Sequence, residues 1–302
     1  MINVLYVHIG ETIPSFIIDN IQVTLKINPQ NVQVHVITDS EILKSMILNI
    51  FPKYVHVHSV ISSQKLSDFK KSTLLEKGFW SHTMERFFII ENAMVHNKWQ
   101  NVFHLENDVI CYRNFTDMLL TIQECYSDSS IISTFDNDLR CIPGIVFFPN
   151  YKSLSMVTSF SINNPSLNDM QLFGQCRISF GSIVLDSFPL CPITDKIMCN
   201  LQGQSSNTLL PHMSLSRYFS HWNMVFDAAA IGQFIDGTDP NVDHHHKSGF
   251  VNETCYINYK KDCNLRFNNG YPEIQFDTIW YPIANLHIHS KNLKKFAEMI
   301  KI

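Results

Sequence analysis

The sequence predicts an α/β domain with a mostly parallel central sheet flanked by helices. Three observations lead there. The first forty residues run strand, helix, strand, which is the opening of a βαβ unit with parallel strands. A second apolar strand pattern, at residues 101–105, follows a stretch of helical periodicity. The chain has 302 residues, 45% hydrophobic and only 17% charged, against about 25% charged in an average domain, which is ample for a large core.

Taken in order, residues 3–9 are apolar and β-branched and stop at Gly10. Pro14 suits the first turn of a helix whose apolar face is Phe16, Ile17, Ile21 and Leu25, closed by Pro29. Val32, Val34 and Val36 then share one face of a strand ending at Thr38-Asp39. Residues 54–60 read as a short strand, and the polar, lysine-rich residues 62–79 as a loop able to cover a site. Phe87, Phe88, Ile90, Ala93 and Met94 recur at helical spacing within residues 83–99. Strands are expected at 131–134 and 141–148, and helices at 151–161 and 168–176. Residues 188–222, rich in Pro, Ser and Asn, read as an irregular insertion. A helix is expected over 224–235 with Asp227 in its first turn, then alternation at 284–289 and a closing helix at 291–300. There is no repeat and no linker long enough to split two domains, so residues 1–302 read as one domain.

Several function classes are excluded. A net charge of −4 and a pI near 6.4 give no pull toward nucleic acid or anionic lipid, so no nucleic-acid partner is expected. No apolar run reaches the roughly 18–20 residues of a membrane helix. With ten glycines the chain has no G-x-G-x-x-G, and the interval Gly232 to Gly237 is followed by Thr238, not Lys, so a Walker cradle is excluded. Phosphate capture would need a metal or placed side chains. Eight cysteines without a C-x-x-C pair read as free, mostly buried thiols in a reducing compartment. Residues 1–10 lack the basic and long apolar regions of a signal peptide, so a cytoplasmic location is expected and the sequons at Asn114 and Asn252 are incidental.

The chemistry gathers at Phe103-His104-Leu105-Glu106-Asn107-Asp108-Val109. Two carboxylates spaced i, i+2 fall on one side of an extended backbone, directly after an apolar strand, where ligands of parallel sheets bind. Hard anionic oxygens there suit a divalent ion able to bridge a diphosphate. An ordinary solvated turn explains Asn107 and Asp108 equally well. Far downstream, His287 and His289 share a strand face in Leu286-His287-Ile288-His289-Ser290-Lys291, where an imidazole can complete a metal shell and Lys291 can grip phosphate. The run Asp243-His244-His245-His246 lies between Gly237, Pro240 and Gly249 and reads as a loop, not a second metal site.

Glu106-x-Asp108 resembles the acidic D-x-D signature of GT-A fold, nucleotide-sugar-dependent glycosyltransferases, with Glu in place of the first Asp. Phe79-Trp80 through Arg86-Phe87 resembles the helix flanking the donor pocket of these enzymes, and Phe226–Phe234 with Gly237 and residues 286–291 resemble further blocks. The likeness is to bacterial surface-polysaccharide and large-DNA-virus members. It implies a Rossmann-like GT-A sheet, with residues 1–112 as the nucleotide-binding half and 113–302 as the acceptor-binding half. It implies a hexosyltransferase moving sugar from a nucleotide-sugar donor, a UDP-sugar, to a glycan or other hydroxyl acceptor.

Carried over residue by residue, the resemblance makes Asp108 the main metal ligand, with Glu106 touching the ion or the ribose. His289, or alternatively His287, supplies the imidazole, and Lys291 pairs with the diphosphate. Arg86 contacts the donor, Asn107 lies between the acids, and His8, Gly10 and Asp39 hold the nucleoside from strand ends. A mixed oxygen and nitrogen shell suits Mn²⁺ better than Mg²⁺. An inverting enzyme also needs an acceptor base. Asp169, opening a helix, is the first choice although a helix N-terminus explains it equally well; Asp227 and Asp186 follow. Two alternatives stay open: an Fe(II)-dependent oxygenase using His104, Glu106 and His289, and a sugar-nucleotide-binding module without turnover.

Overall fold

The computed structural model describes residues 1–193, 215–237, 256–257, 259 and 263–300. The run Asp243 to His246 and the sequon at Asn252 lie outside the described residues. β1 (Ile2–His8) is buried along its whole length, as a central strand covered on both faces must be. It is followed by α1 (Phe16–Ile27), β2 (Val32–Thr38), α2 (Glu41–Ile50), β3 (Val55–Ser59), α3 (Gln64–Ser72), α4 (Phe79–Asn97), β4 (Val102–Leu105) and β5 (Val109–Cys111). Then come α5 (Phe115–Cys125), β6 (Ile131–Asn137), β7 (Arg140–Phe148), α6 (Tyr151–Asn163), α7 (Asp169–Phe180) and β8 (Leu185–Ser187). The last part holds α8 (Phe219–Trp222), α9 (Ala230–Asp236), β9 (Asn264–Asn268), β10 (Tyr271–Phe276), β11 (Ile279–Pro282), β12 (Asn285–His287) and α10 (Leu293–Met299).

The seven-stranded sheet has the order β3-β2-β1-β4-β7-β6-β8. β3, β2, β1 and β4 run parallel, β7 runs antiparallel to both β4 and β6, and β8 is parallel to β6. This is the mostly parallel, helix-flanked sheet that the βαβ opening predicts, in the Rossmann-like arrangement that the resemblance implies. Two apolar cores form, one on each face: Leu5, Val7 and Ile37 pack with α4, and Val4, Tyr6, Val34 and Val36 pack with α1 and α2. Of the eight cysteines, the six that are described are all free. No helix among the described residues is long and apolar enough to cross a membrane.

Three expectations are corrected. Residues 62–79 are not a loop throughout. Ser63 accepts the Leu66 N–H at 3.2 Å and starts α3, whose Leu66 and Phe69 bury a narrow stripe. Residues 224–235 do not form one helix. Val225 bridges to Ile283, Ala229 turns through φ 66°, and only Ala230–Asp236 is helical. The described flanks of the 188–222 segment are core, with Phe188 stacked on Phe226 at 4.3 Å and Trp222 buried beside them.

Candidate metal and donor site

β4 ends at Leu105, and the chain turns through Glu106, Asn107 and Asp108 at the carboxyl edge shared with β1 before entering β5. The Val109 N–H closes the turn on the Glu106 carbonyl at 3.1 Å, and the Glu106 N–H donates to Gly144 of β7 at 2.8 Å. Asn20, fully buried in α1, reaches the turn from below. Its amide donates to the carbonyls of Glu106, Asn107 and Val109 at 3.2, 3.0 and 2.9 Å. Tyr6 donates to Asn20 Oδ1 at 3.2 Å and fixes which way the amide faces. The turn is thus rigid before any ligand arrives.

The C-terminal segment completes it. β12 pairs antiparallel with β5, placing His287 opposite Val109, and the Ile288 N–H donates to the Asp108 carbonyl at 2.9 Å. His287 Nε2 comes within 3.2 Å of Asp108 Oδ2 and 3.4 Å of Glu106 Oε2. One ligand atom each from Glu106, Asp108 and His287 lies within 4.8 Å of the others, so these residues can hold a metal ion. Lys291, whose φ is 62°, turns its ammonium back onto Asp108. Gly144 leaves the room: a Cβ there would stand 2.9 Å from Val109 Cγ2 and 3.0 Å from His287 Nδ1.

The charges are interlocked. Burial alone would raise the Asp108 carboxyl, but His287 and Lys291 outweigh it and hold the group well below the usual carboxylate range. Burial opposes protonation of His287, yet Asp108 and Glu106 raise it overall. His289 stacks on His287 at 4.5 Å and is pushed down to about 3, by burial first and then by its neighbour's charge. The imidazole brought to the acids is therefore that of His287, with His289 packed behind it. The register of β12 on β5 decides between the two.

Arg86, from the buried face of α4, bridges two acids: NH1 pairs with Glu106 and NH2 with Asp169 Oδ2 at 2.7 Å. Burial pushes Asp169 upward and Arg86 pulls it back, the net shift being upward. Asn168 caps α7 in a reciprocal box with Gln171, so Asp169 is its first helical residue and not the cap. His8, Arg86, Glu106, Asn107, Asp108 and Lys291 line one cavity of about 280 Å³ with Phe16, Phe79 and His82. Gly10 and Asp39 are outside its lining residues; the Gly10 N–H donates to Asp39 Oδ1 at 2.9 Å and His8 Nε2 bonds the Gly10 carbonyl at 3.1 Å. A larger cavity of about 420 Å³, near Gln100, Tyr126 and Lys152, contains none of the metal-binding residues found among the described residues.

His104 is not placed as a third ligand. Its Nδ1 bonds the Leu5 carbonyl at 3.0 Å, and it does not belong to the Glu106, Asp108, His287 group. Asp227 and Asp186 are likewise committed. Asp186 pairs with Arg217, and Asp227 accepts from the N–H groups of Ile231 and Gly232 at 2.8 Å and of His287 at 3.1 Å. Sequence reasoning missed Asn20, Gly144 and this role of Asp227. The available signal for Asn20 was a polar residue on the apolar face of α1.

No family model matches the chain, and no curated protein matches it. Among solved structures it is similar to mouse xyloside xylosyltransferase 1 in its apo form, at 9% identity and a TM-score of 0.48, over 62% of this chain and 84% of that one. It is also similar to the galactosyltransferase LgtC in complex with donor and acceptor sugar analogs, at 10% identity and a TM-score of 0.47, over 70% of this chain and 82% of that one. A third is the PaToxG glycosyltransferase, at 13% identity and a TM-score of 0.44, over 59% and 68%.

Proposed function

We propose that this chain is a metal-dependent GT-A glycosyltransferase that moves a hexose from a nucleotide sugar, a UDP-sugar, to a glycan or other hydroxyl acceptor in the cytoplasm. One observation carries the proposal. Asp108 and His287, 179 residues apart in sequence, converge with Glu106 beside Lys291 in a cavity at the carboxyl edge of a mostly parallel sheet. The donor set is two carboxylates and an imidazole in a cradle that a Cβ on Gly144 would fill, which fits Mn²⁺ ahead of Mg²⁺. When bound, the ion neutralises charge developing on the leaving diphosphate.

The chain's own residues do the rest. Lys291 binds a diphosphate oxygen, and Arg86 fixes Glu106 while facing the cavity. His8, Gly10, Asp39 and Asn107 hold the nucleoside at the ends of β1, β2 and β4, in the half formed by residues 1–112. Asp169, in the 113–302 half, takes the acceptor proton if the enzyme inverts. Asp169→Asn then lowers kcat by at least ~10²-fold and spares donor affinity; wild-type transfer removes it from the mechanism. The oxygenase alternative loses support, since His104 lies outside the group formed by Glu106, Asp108 and His287 and the sheet is mostly parallel.

The test is a thermal-shift panel of UDP-, GDP-, CMP- and dTDP-sugars with and without Mn²⁺, followed by donor hydrolysis. Mn²⁺-dependent stabilisation by one donor, abolished in Asp108→Ala, is the expected result. Stabilisation without hydrolysis or transfer to any acceptor would instead identify a binding module. Metal-independent or absent donor binding would overturn the proposal.

A further inference from the structure

The cavity of about 420 Å³ lies at the opposite end of β4 from the acid turn. β4 starts at Val102, just after Asn101, and runs to Leu105 and the acids. β7, antiparallel to it, ends at Phe148, just before Pro149 and Asn150. Asn101, Pro149 and Asn150 all line this cavity, whereas Glu106 and Asp108 line the smaller one, and no residue lines both. Its volume falls in the range of small-molecule sites, roughly 300–1,000 Å³.

Part of the lining is apolar and fixed. Ile122, Tyr126 and Phe147 are buried there. The Tyr126 hydroxyl donates to the Ser187 carbonyl at 3.0 Å and accepts from Trp222 Nε1 at 3.1 Å, so its ring is what remains for a ligand. Tyr151, also in the lining, is 41% exposed. The polar part is dominated by four side-chain amides, those of Gln100, Asn101, Gln123 and Asn150. Two of them stand on anchored backbone. The Asn101 N–H donates to the Pro149 carbonyl at 3.0 Å, and Asn150 caps α6, its Oδ1 accepting the Ser153 N–H at 3.1 Å. What Asn150 can offer a ligand is therefore its amide N–H donors.

This chemistry selects the ligand. Among the described residues that line the cavity only Asp128 and Lys152 are charged, one of each sign, which favours neither an anion nor a cation. An apolar ligand would strip water from the amides and return no hydrogen bonds. A neutral sugar answers both parts of the lining: its hydroxyls donate and accept as amides do, and its C–H face lies on apolar and aromatic surface. We propose that this cavity is a saccharide-binding subsite remote from the acid turn, taking an uncharged mono- or disaccharide unit of a glycan. The amides of Gln100, Asn101, Gln123 and Asn150 pair with its hydroxyls, and Tyr126 and Tyr151 supply ring surface. The subsite is independent of the glycosyltransferase proposal.

The experiment is saturation-transfer NMR on the full chain carrying Asp108→Ala, without metal or nucleotide, so that binding does not depend on the acid site. The probes are lactose, maltose, cellobiose and mannobiose, with glucose 1-phosphate as the charged comparison. At least one disaccharide is expected to bind with a millimolar Kd. Adding Gln123→Ala or Tyr151→Ala, at exposed positions that leave the core intact, weakens it at least ~10-fold, the scale of one hydrogen bond. Unchanged thermal melting of both variants reports that the fold persists. No disaccharide bound at millimolar concentration, affinity indifferent to both substitutions, or tighter binding of glucose 1-phosphate than of every neutral sugar overturns the proposal. So does loss of binding with Phe79→Ala in place of those two, which puts the sugar in the other cavity.

Discussion

Asp227 Oδ2 accepts the backbone N–H of His287 at 3.1 Å across 60 residues of sequence, and the same oxygen accepts the Gly232 N–H at 2.8 Å. A buried carboxylate thus holds the backbone from which the His287 imidazole projects. Gly232 is required there, because a Cβ would lie 2.1 Å from the His287 carbonyl oxygen. Asp227→Asn turns an acceptor into a donor facing donors, or forfeits the third bond. It should cost about 1–3 kcal/mol in urea unfolding and also weaken Mn²⁺ binding by calorimetry. Lost stability with wild-type Mn²⁺ affinity would confine Asp227 to a folding role.

Gly144→Ala tests the cradle. The new methyl would press on Val109 at 2.9 Å and His287 at 3.0 Å and reach ordinary contact with Glu106 Oε2 at 3.4 Å, so Val109 and the His287 imidazole must give way. The expected cost is about 1–3 kcal/mol of stability, with Mn²⁺ affinity falling more than donor affinity measured without metal. Unchanged Mn²⁺ binding would place the ion elsewhere.

Lys291→Met separates two roles. The ammonium sits on Asp108, where it competes with an entering cation, and the diphosphate is its proposed partner in the complex. Mn²⁺ alone should bind at least as tightly to the variant as to the wild type. Nucleoside diphosphate with Mn²⁺ should bind about 10- to 100-fold more weakly, the scale of one charge-assisted hydrogen bond. Parallel loss of both affinities would make Lys291 a structural support only.

Buried neutral histidines set an acid limit on stability. His35 and His104 are pushed from 6.5 to about 3, His35 by burial and then His58 and His56, His104 by burial and then Arg86. The unfolded chain binds these protons below pH 6.5 and the folded chain does not. Their stabilisation is therefore full above pH 6.5 and is lost as pH falls toward 3, at about 1.4 kcal/mol per pH unit for each group. Urea unfolding between pH 7 and pH 5 checks this, and His35→Gln should show a shallower loss. An identical slope in that variant would mean that His35 is protonated in the folded state.

The sequence showed the acid turn and its distant imidazole because both rest on local pattern: an apolar strand that stops at Glu106, and alternation through His287 and His289. Choosing between those histidines needed the pairing of His287 with Val109, which no local pattern encodes. α3 was hidden by its lysines, since Leu66 and Phe69 give it only a narrow apolar stripe behind the Ser63 cap. The 224–235 segment misled in the opposite sense. Its small apolar residues have helical spacing, but Val225 is claimed by Ile283 and the helix starts only after Ala229 turns left-handed. Asn20 and Asp227 act on backbone atoms remote in the chain, and side-chain patterns carry no record of that.

The antiparallel pairing of β12 with β5 also sets an order of events during synthesis. The acid turn can be built as soon as β1, α1, β4 and β7 have emerged, but its imidazole and ammonium arrive only with residues 287–291. Closing so long a loop adds little to the equilibrium cost, which grows only logarithmically with length, but it makes the last contact a slow one. A nascent chain on the ribosome therefore carries the acid turn before His287 and Lys291 reach it. On the proposed function, ion binding at this turn begins only once residues 287–291 have been made.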